Sequence, residues 1–264
     1  MPLRIGSFNV CCYHNCANAA AIHTELKRHH VDAAVVDHAF LISPLHLAVA
    51  LFRVEASADL AVSRGPCAFS SLFAEAPSSP PTLSETLSSL PHPTRQISDS
   101  RQIFAALSLS HNLDRILQVL PPGPQTTSVV IIYRHSGCVR AAASSEGAVE
   151  ANNAAASTQQ DGKALDALIH ACVQRTNSAA QTHMFAHITE LFWTGAAFAF
   201  ADISKVSLFY GISESMLLAA QRSLTRSDVR RVCTGVESQA AQAQVLRWHA
   251  LEICVTTLLS ACTA

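Results

Sequence analysis

Hydrophobic and polar positions change period several times along this chain, and each change marks an expected element. Residues 5–13 read as a strand that turns its Phe8, Val10 and Cys12 to the core, with a turn over 15–18. Over 19–30, Ile22 and Leu26 share a face opposite Glu25, Lys27 and Arg28, which gives an amphipathic helix with its basic residues near the C-terminal end. Phe40, Leu41 and Ile42 form a short strand-prone run. Ser43 is placed to accept a hydrogen bond from a free helical N–H, and Pro44 suits a first helical turn. In the helix that starts there, Leu45, Ala48, Val49 and Phe52 recur at 3/4 spacing and are expected to lie on the sheet. Ile103, Phe104 and Leu107 set a helix over 99–109. Leu113, Ile116, Leu117 and Leu120 set another from Ser110, stopped by Pro121, Pro122 and Gly123. The continuous apolar run VVIIY at 129–133 predicts a central strand. Further helices are expected over 163–175, after Asp202, over 213–232 and over 241–260, and a strand over 196–200. The last helix carries Val245, Trp248, Ile253 and Val255.

Two stretches interrupt this order. Residues 66–94 are rich in Pro and Ser, and residues 141–162 in Ala, Ser, Asn and Gln without an apolar stripe, so the first reads as an insertion and the second as a flexible insert. The remainder predicts one α+β domain, a small and mainly antiparallel sheet covered by helices. Its length of 264 residues, with 49% hydrophobic and 14% charged residues, is enough to bury a sizeable core. A net charge of −1 gives no overall field toward nucleic acid, so any RNA contact must be local or shared. Without a leader-like N-terminus or a run of 18 apolar residues, the chain is expected to be intracellular and not membrane-bound. Nine cysteines without a secretion signal then read as reduced thiols. Cys12, His14 and Cys16 alternate, but no second ligand pair accompanies them, and neither a metal nor a cofactor is expected.

Catalytic patterns are sparse. The sequence has no phosphate-cradling loop, nucleophile elbow, zinc-binding helix or kinase motif set, so the chain reads as non-enzymatic. The rival enzymatic reading would use an acid/base cluster of His29 and His30 with Asp32 and Asp37. His135, His170, His183 and His187 show no third ligand at a usable spacing. Arg222, Arg226 and Arg230 recur at i, i+4 and i+8, so a continuous helix would line them up, with Arg231 beside them, along a phosphate backbone. That is the basis of a second rival, a stand-alone RNA-binding protein.

Three segments carry a family resemblance. DAAVVDHAFLISPLHL at 32–47, RQISDSRQIFAALSLSHNLDRILQVLPPGPQTTSVVIIYR at 95–134 and DISKVSLFY at 202–210 resemble, in order, the small KEOPS subunit that binds the atypical kinase PRPK/Bud, the TPRKB family. The resemblance implies a non-catalytic subunit that binds the kinase and, through it, the other KEOPS subunits, supports threonylcarbamoyl-adenosine modification of tRNA and helps to hold the tRNA. A nuclear and cytoplasmic location follows from it. It places kinase contacts at Lys205, Val206, Phe209 and Tyr210, joined by Leu251, Cys254 and Leu258 on the C-terminal helix. It makes Arg95 and Arg101 RNA contacts, with Asp99 an acidic departure between them; the Arg222, Arg226 and Arg230 stripe is a further candidate.

Overall fold

A computed structural model describes residues 2–63, 99–110, 112–134, 151–177, 186–189, 200–236 and 238–261. These form an α+β fold around an antiparallel sheet. β1 (Leu3–Ile5) and β2 (Phe8–His14) make a hairpin; β4 (Val129–Arg134) lies on the other side of β2, and β3 (Ala33–Asp37) pairs with β4, in the order β1-β2-β4-β3. β5 (Ala186–His187) pairs with the end of β2. The single strand expected over 5–13 is thus a hairpin. Gly6 makes the turn at φ +57°, where a side chain would be strained and would collide with the Glu55 carboxylate that accepts the Ser7 N–H.

Every residue of β3 is buried, as are Phe8 to Tyr13 of β2 and Val129 to Tyr133 of β4, because helices cover both faces. Phe8, Val10, Cys12, Ala34, Val36, Val130 and Ile132 face one layer, and Cys11, Tyr13, Ala33, Val35, Val129, Ile131 and Tyr133 the other. The second layer is α1 (Ala19–Arg28) and α5 (Ala151–Asn177), pinned by Arg175 Nη1 to Glu25 Oε1 at 2.7 Å. The first holds α2 (Pro44–Ser63), α3 (Asp99–Ala106), α4 (Leu113–Val119), α6 (Ile203–Tyr210), α7 (Glu214–Ser223) and α9 (Gln239–Ala261). α8 (Arg226–Val232) buries none of its residues.

Several expectations change. The strand before Ser43 is Ala33–Asp37, not the Phe40 run; Asp37 accepts the Ala39 N–H and starts a 3-10 turn at His38–Phe40. Ser43 caps α2 as expected, its hydroxyl accepting the His46 N–H at 3.1 Å. The buried stripe of α2 is Leu47, Ala50, Leu51 and Val54, while Leu45 and Phe52 are 55% and 66% exposed. α5 begins at Ala151, so the segment expected to be flexible over 141–162 is helical in its second part; runs of Ala favour helix without needing an apolar stripe. The Pro/Ser-rich insertion, Arg95, His135, His183 and residues 196–199 lie outside the described residues.

Candidate partner-binding face

α6 is fixed at both ends. The Asp202 carboxylate accepts the N–H groups of Ser204 at 2.9 Å and Lys205 at 3.1 Å, and Gly211 closes the helix at φ +66°. The Asp202 N–H donates to the Ala39 carbonyl at 2.9 Å, which ties the start of α6 to the 3-10 turn after β3. One side of α6 is core: Val206 is fully buried and Tyr210 nearly so. The Tyr210 hydroxyl donates to the Leu107 carbonyl at 2.6 Å. Its single proton is thereby used, so His46 Nε2–H donates to the Tyr210 oxygen at 2.8 Å, and His46 Nδ1 accepts the Ile42 N–H. Burial lowers the His46 pKa to about 4, keeping the ring neutral.

The other side of α6 is open. Leu208 is 85% exposed, and Lys205 reaches over the Phe40 ring at 5.9 Å with its ammonium 3.8 Å from Asp37 Oδ2. Phe209 packs edge-on against Phe40 at 5.6 Å and Tyr210 at 5.0 Å. Between α6 and α4 lies a recess of about 220 Å³ floored by Phe40, Ile116, Val119 and Phe209. Arg115, Lys205 and the serines 108 and 110 stand around it with Leu208. Among the described residues, no carboxylate lines it.

Compared with known proteins, the chain matches no family model and no curated protein. Among the described residues, no helix is long and apolar enough to cross a membrane.

Of the expected kinase contacts, Lys205 and Phe209 reach this open side. Val206 and Tyr210 are the buried side of the same helix, Leu251 and Cys254 are buried in the same core, and Leu258 packs partly against it. Leu208, Phe40 and Arg115 complete the face and were not expected there. Leu208 sits in the same apolar stretch as its neighbours, and only the helix phase separates it from them.

The arginine line does not form. α7 ends at Ser223, and Thr225 starts α8 with a capping box to Asp228, so Arg222 lies on one helix while Arg226 and Arg230 lie on the next. Arg101 is exposed on α3. The proposed acid/base cluster is also apart. His29 contacts Glu25 and Arg175, Asp32 accepts the Ser100 N–H, and Asp37 sits at the other end of β3, roughly 16 Å along the strand. His170 stacks on Tyr13 and contacts Gln174. Cys12 and Cys16 belong to different core layers, because Asn15, at φ +58°, ends the alternation of β2.

A Ser–His contact that sequence reasoning missed joins Ser128 Oγ to His14 Nδ1, beside His38 and Phe200. Ser128 is buried, and among the described residues no carboxylate orients the other His14 nitrogen. The pairing spans 114 residues of sequence, and no local motif announces it.

Proposed function

We propose that this chain is a non-catalytic subunit of a KEOPS-type complex: it binds the PRPK/Bud-type kinase through α6 and supports tRNA threonylcarbamoyl-adenosine modification by helping to hold tRNA. One observation carries the reading. The three segments that resemble the kinase-binding family are far apart in sequence, and a single hydrogen-bond chain joins them: His46 from the first, Tyr210 from the third and Leu107 from the second. The resemblance therefore falls on one packed unit, not on scattered matches. The same unit presents Lys205, Leu208 and Phe209 outward, an apolar patch with a basic edge suited to a protein partner. Threonylcarbamoyl transfer and ATP turnover belong, in this reading, to other subunits. Tethering and tRNA capture would be this chain's share, with Arg101 an exposed contact for RNA.

Calorimetric titration with the kinase of the same organism tests it. Leu208→Glu is the better probe than Phe209→Glu, because Phe209 also supports Phe40 and Tyr210 while Leu208 supports little. Saturable binding is expected for the natural chain, weakened at least about tenfold by Leu208→Glu. Absence of binding with both proteins folded overturns the assignment. Unchanged binding by the variant moves the docking surface away from α6.

A further inference from the structure

The recess between α4 and α6 has a chemistry of its own. Its floor is apolar and, among the described residues, its rim carries two cations, Arg115 and Lys205, two serines and no acid. Lys205 is partly balanced by Asp37 at 3.8 Å, but that carboxylate also accepts the Ala39 N–H and the Thr126 hydroxyl, each at 3.0 Å. Arg115 is exposed and makes no ion pair with another described residue. From this charge pattern we infer that the recess docks an apolar side chain of a partner protein whose flanking residues are acidic: the side chain sits on the floor made by Phe40, Ile116, Val119 and Phe209, and the carboxylates meet Arg115 and Lys205.

Size and exposure favour a polypeptide over a small ligand. A volume of about 220 Å³ holds one large side chain, and Leu208, at its rim and 85% exposed, needs cover from a neighbouring residue of the same segment. The rings also disfavour a nucleobase. Phe40 is itself buried, with Phe209 against it edge-on and Lys205 over its face, so the Phe40 ring has no free face on which a base could stack. The inference rests on α6 as a docking face and not on which protein docks there.

Fluorescein-labelled octapeptides test it directly: one Leu, Phe or Trp flanked by Asp and Glu, a second set with Lys replacing the acids, and a short single-stranded RNA, each titrated into the full chain by fluorescence anisotropy. The acidic set is expected to bind, more weakly as salt rises. Arg115→Glu and Leu208→Glu should each weaken it by at least about tenfold with unchanged far-UV circular dichroism. The doubly reversed Arg115→Glu/Lys205→Glu chain should then prefer the Lys set. Equal binding of both peptide sets, no binding of the acidic set, indifference to Arg115→Glu, or preference for the RNA would each overturn the inference. The kinase titration is independent: acidic peptides bound at this recess with no kinase binding would uphold the docking chemistry and reject the kinase as the partner.

Discussion

The residue that couples the face to the core is His46. Its ring is fully buried and donates to Tyr210, and burial depresses its pKa to about 4 against the small opposing effect of Glu252. His38, buried beside His14, is likewise held to about 4, first by burial and then by the neighbouring imidazole. Both rings stay neutral in the folded chain at pH values where the unfolded chain has already protonated them. A base with a depressed folded pKa stabilises fully above its unfolded value near 6.5 and loses that contribution as pH falls toward 4. Each such proton costs about 1.4 kcal/mol per pH unit across that window. Glu252 adds to the acid side. Burial raises its pKa, but the hydrogen bonds with His249 and Ser43 outweigh burial and hold the carboxyl below its usual value. Urea unfolding at pH 7, 6 and 5 is therefore expected to show steeply falling stability. His46→Gln, which keeps a donor for Tyr210 and does not titrate, should flatten the slope by about one proton. An unchanged slope in that variant would mean that His46 is charged in the folded chain.

Among the elements, α8 depends most on local chemistry, since none of its residues is buried. Its start is held by Thr225, whose hydroxyl accepts the Asp228 N–H at 3.2 Å while the Asp228 carboxylate accepts the Thr225 N–H at 3.2 Å. Thr225→Ala should cost the helix about 1 kcal/mol and fray it, seen as faster amide exchange over 226–232 with little change in global unfolding. This cap was written in the sequence as Thr225 three residues before Asp228, but the arginine periodicity running across it suggested one long helix. Two signals competed, and the cap prevailed because no buried stripe bridged the break. The phase of α2 was illegible for the opposite reason: the helix is apolar on nearly every side, so Leu45/Ala48/Val49/Phe52 and Leu47/Ala50/Leu51/Val54 satisfy the same spacing. Ser43 and Pro44 fixed where α2 starts and not which way it faces. β3 hid behind Ala33 and Ala34, poor strand formers by propensity that are small enough to sit under both helical layers. The VVIIY strand was plain because burial on both faces leaves no polar alternation to read.

At the scale of the whole molecule, one sheet is shared by two cores, and this sets how stability is distributed. β4 lies between β2 and β3, and its residues alternate between the two cores: Val130 and Ile132 pack with α2 and α9 residues such as Leu51 and Leu251, Val129 and Ile131 with α1 and α5 residues such as Ile22 and Ile169. Neither helical layer can leave without exposing apolar surface on this strand, at about 25 cal/mol for each Å². The amides of Val130, Ile131 and Ile132 are thus expected to exchange only by global unfolding, with protection equal to the free energy from urea denaturation. α6 belongs to the same unit through Tyr210 and Leu107, so its open side is a rigid surface. Its amides at 206–210 should be protected well above those of α8, although both helices are short. Hydrogen exchange with the free chain decides this. If α6 exchanges as fast as α8, the recess under Leu208 is not preformed, and a partner would have to order it on binding. If α6 exchanges with the core, docking at Leu208 requires no folding step, and the binding heat-capacity change should match the modest apolar area covered there.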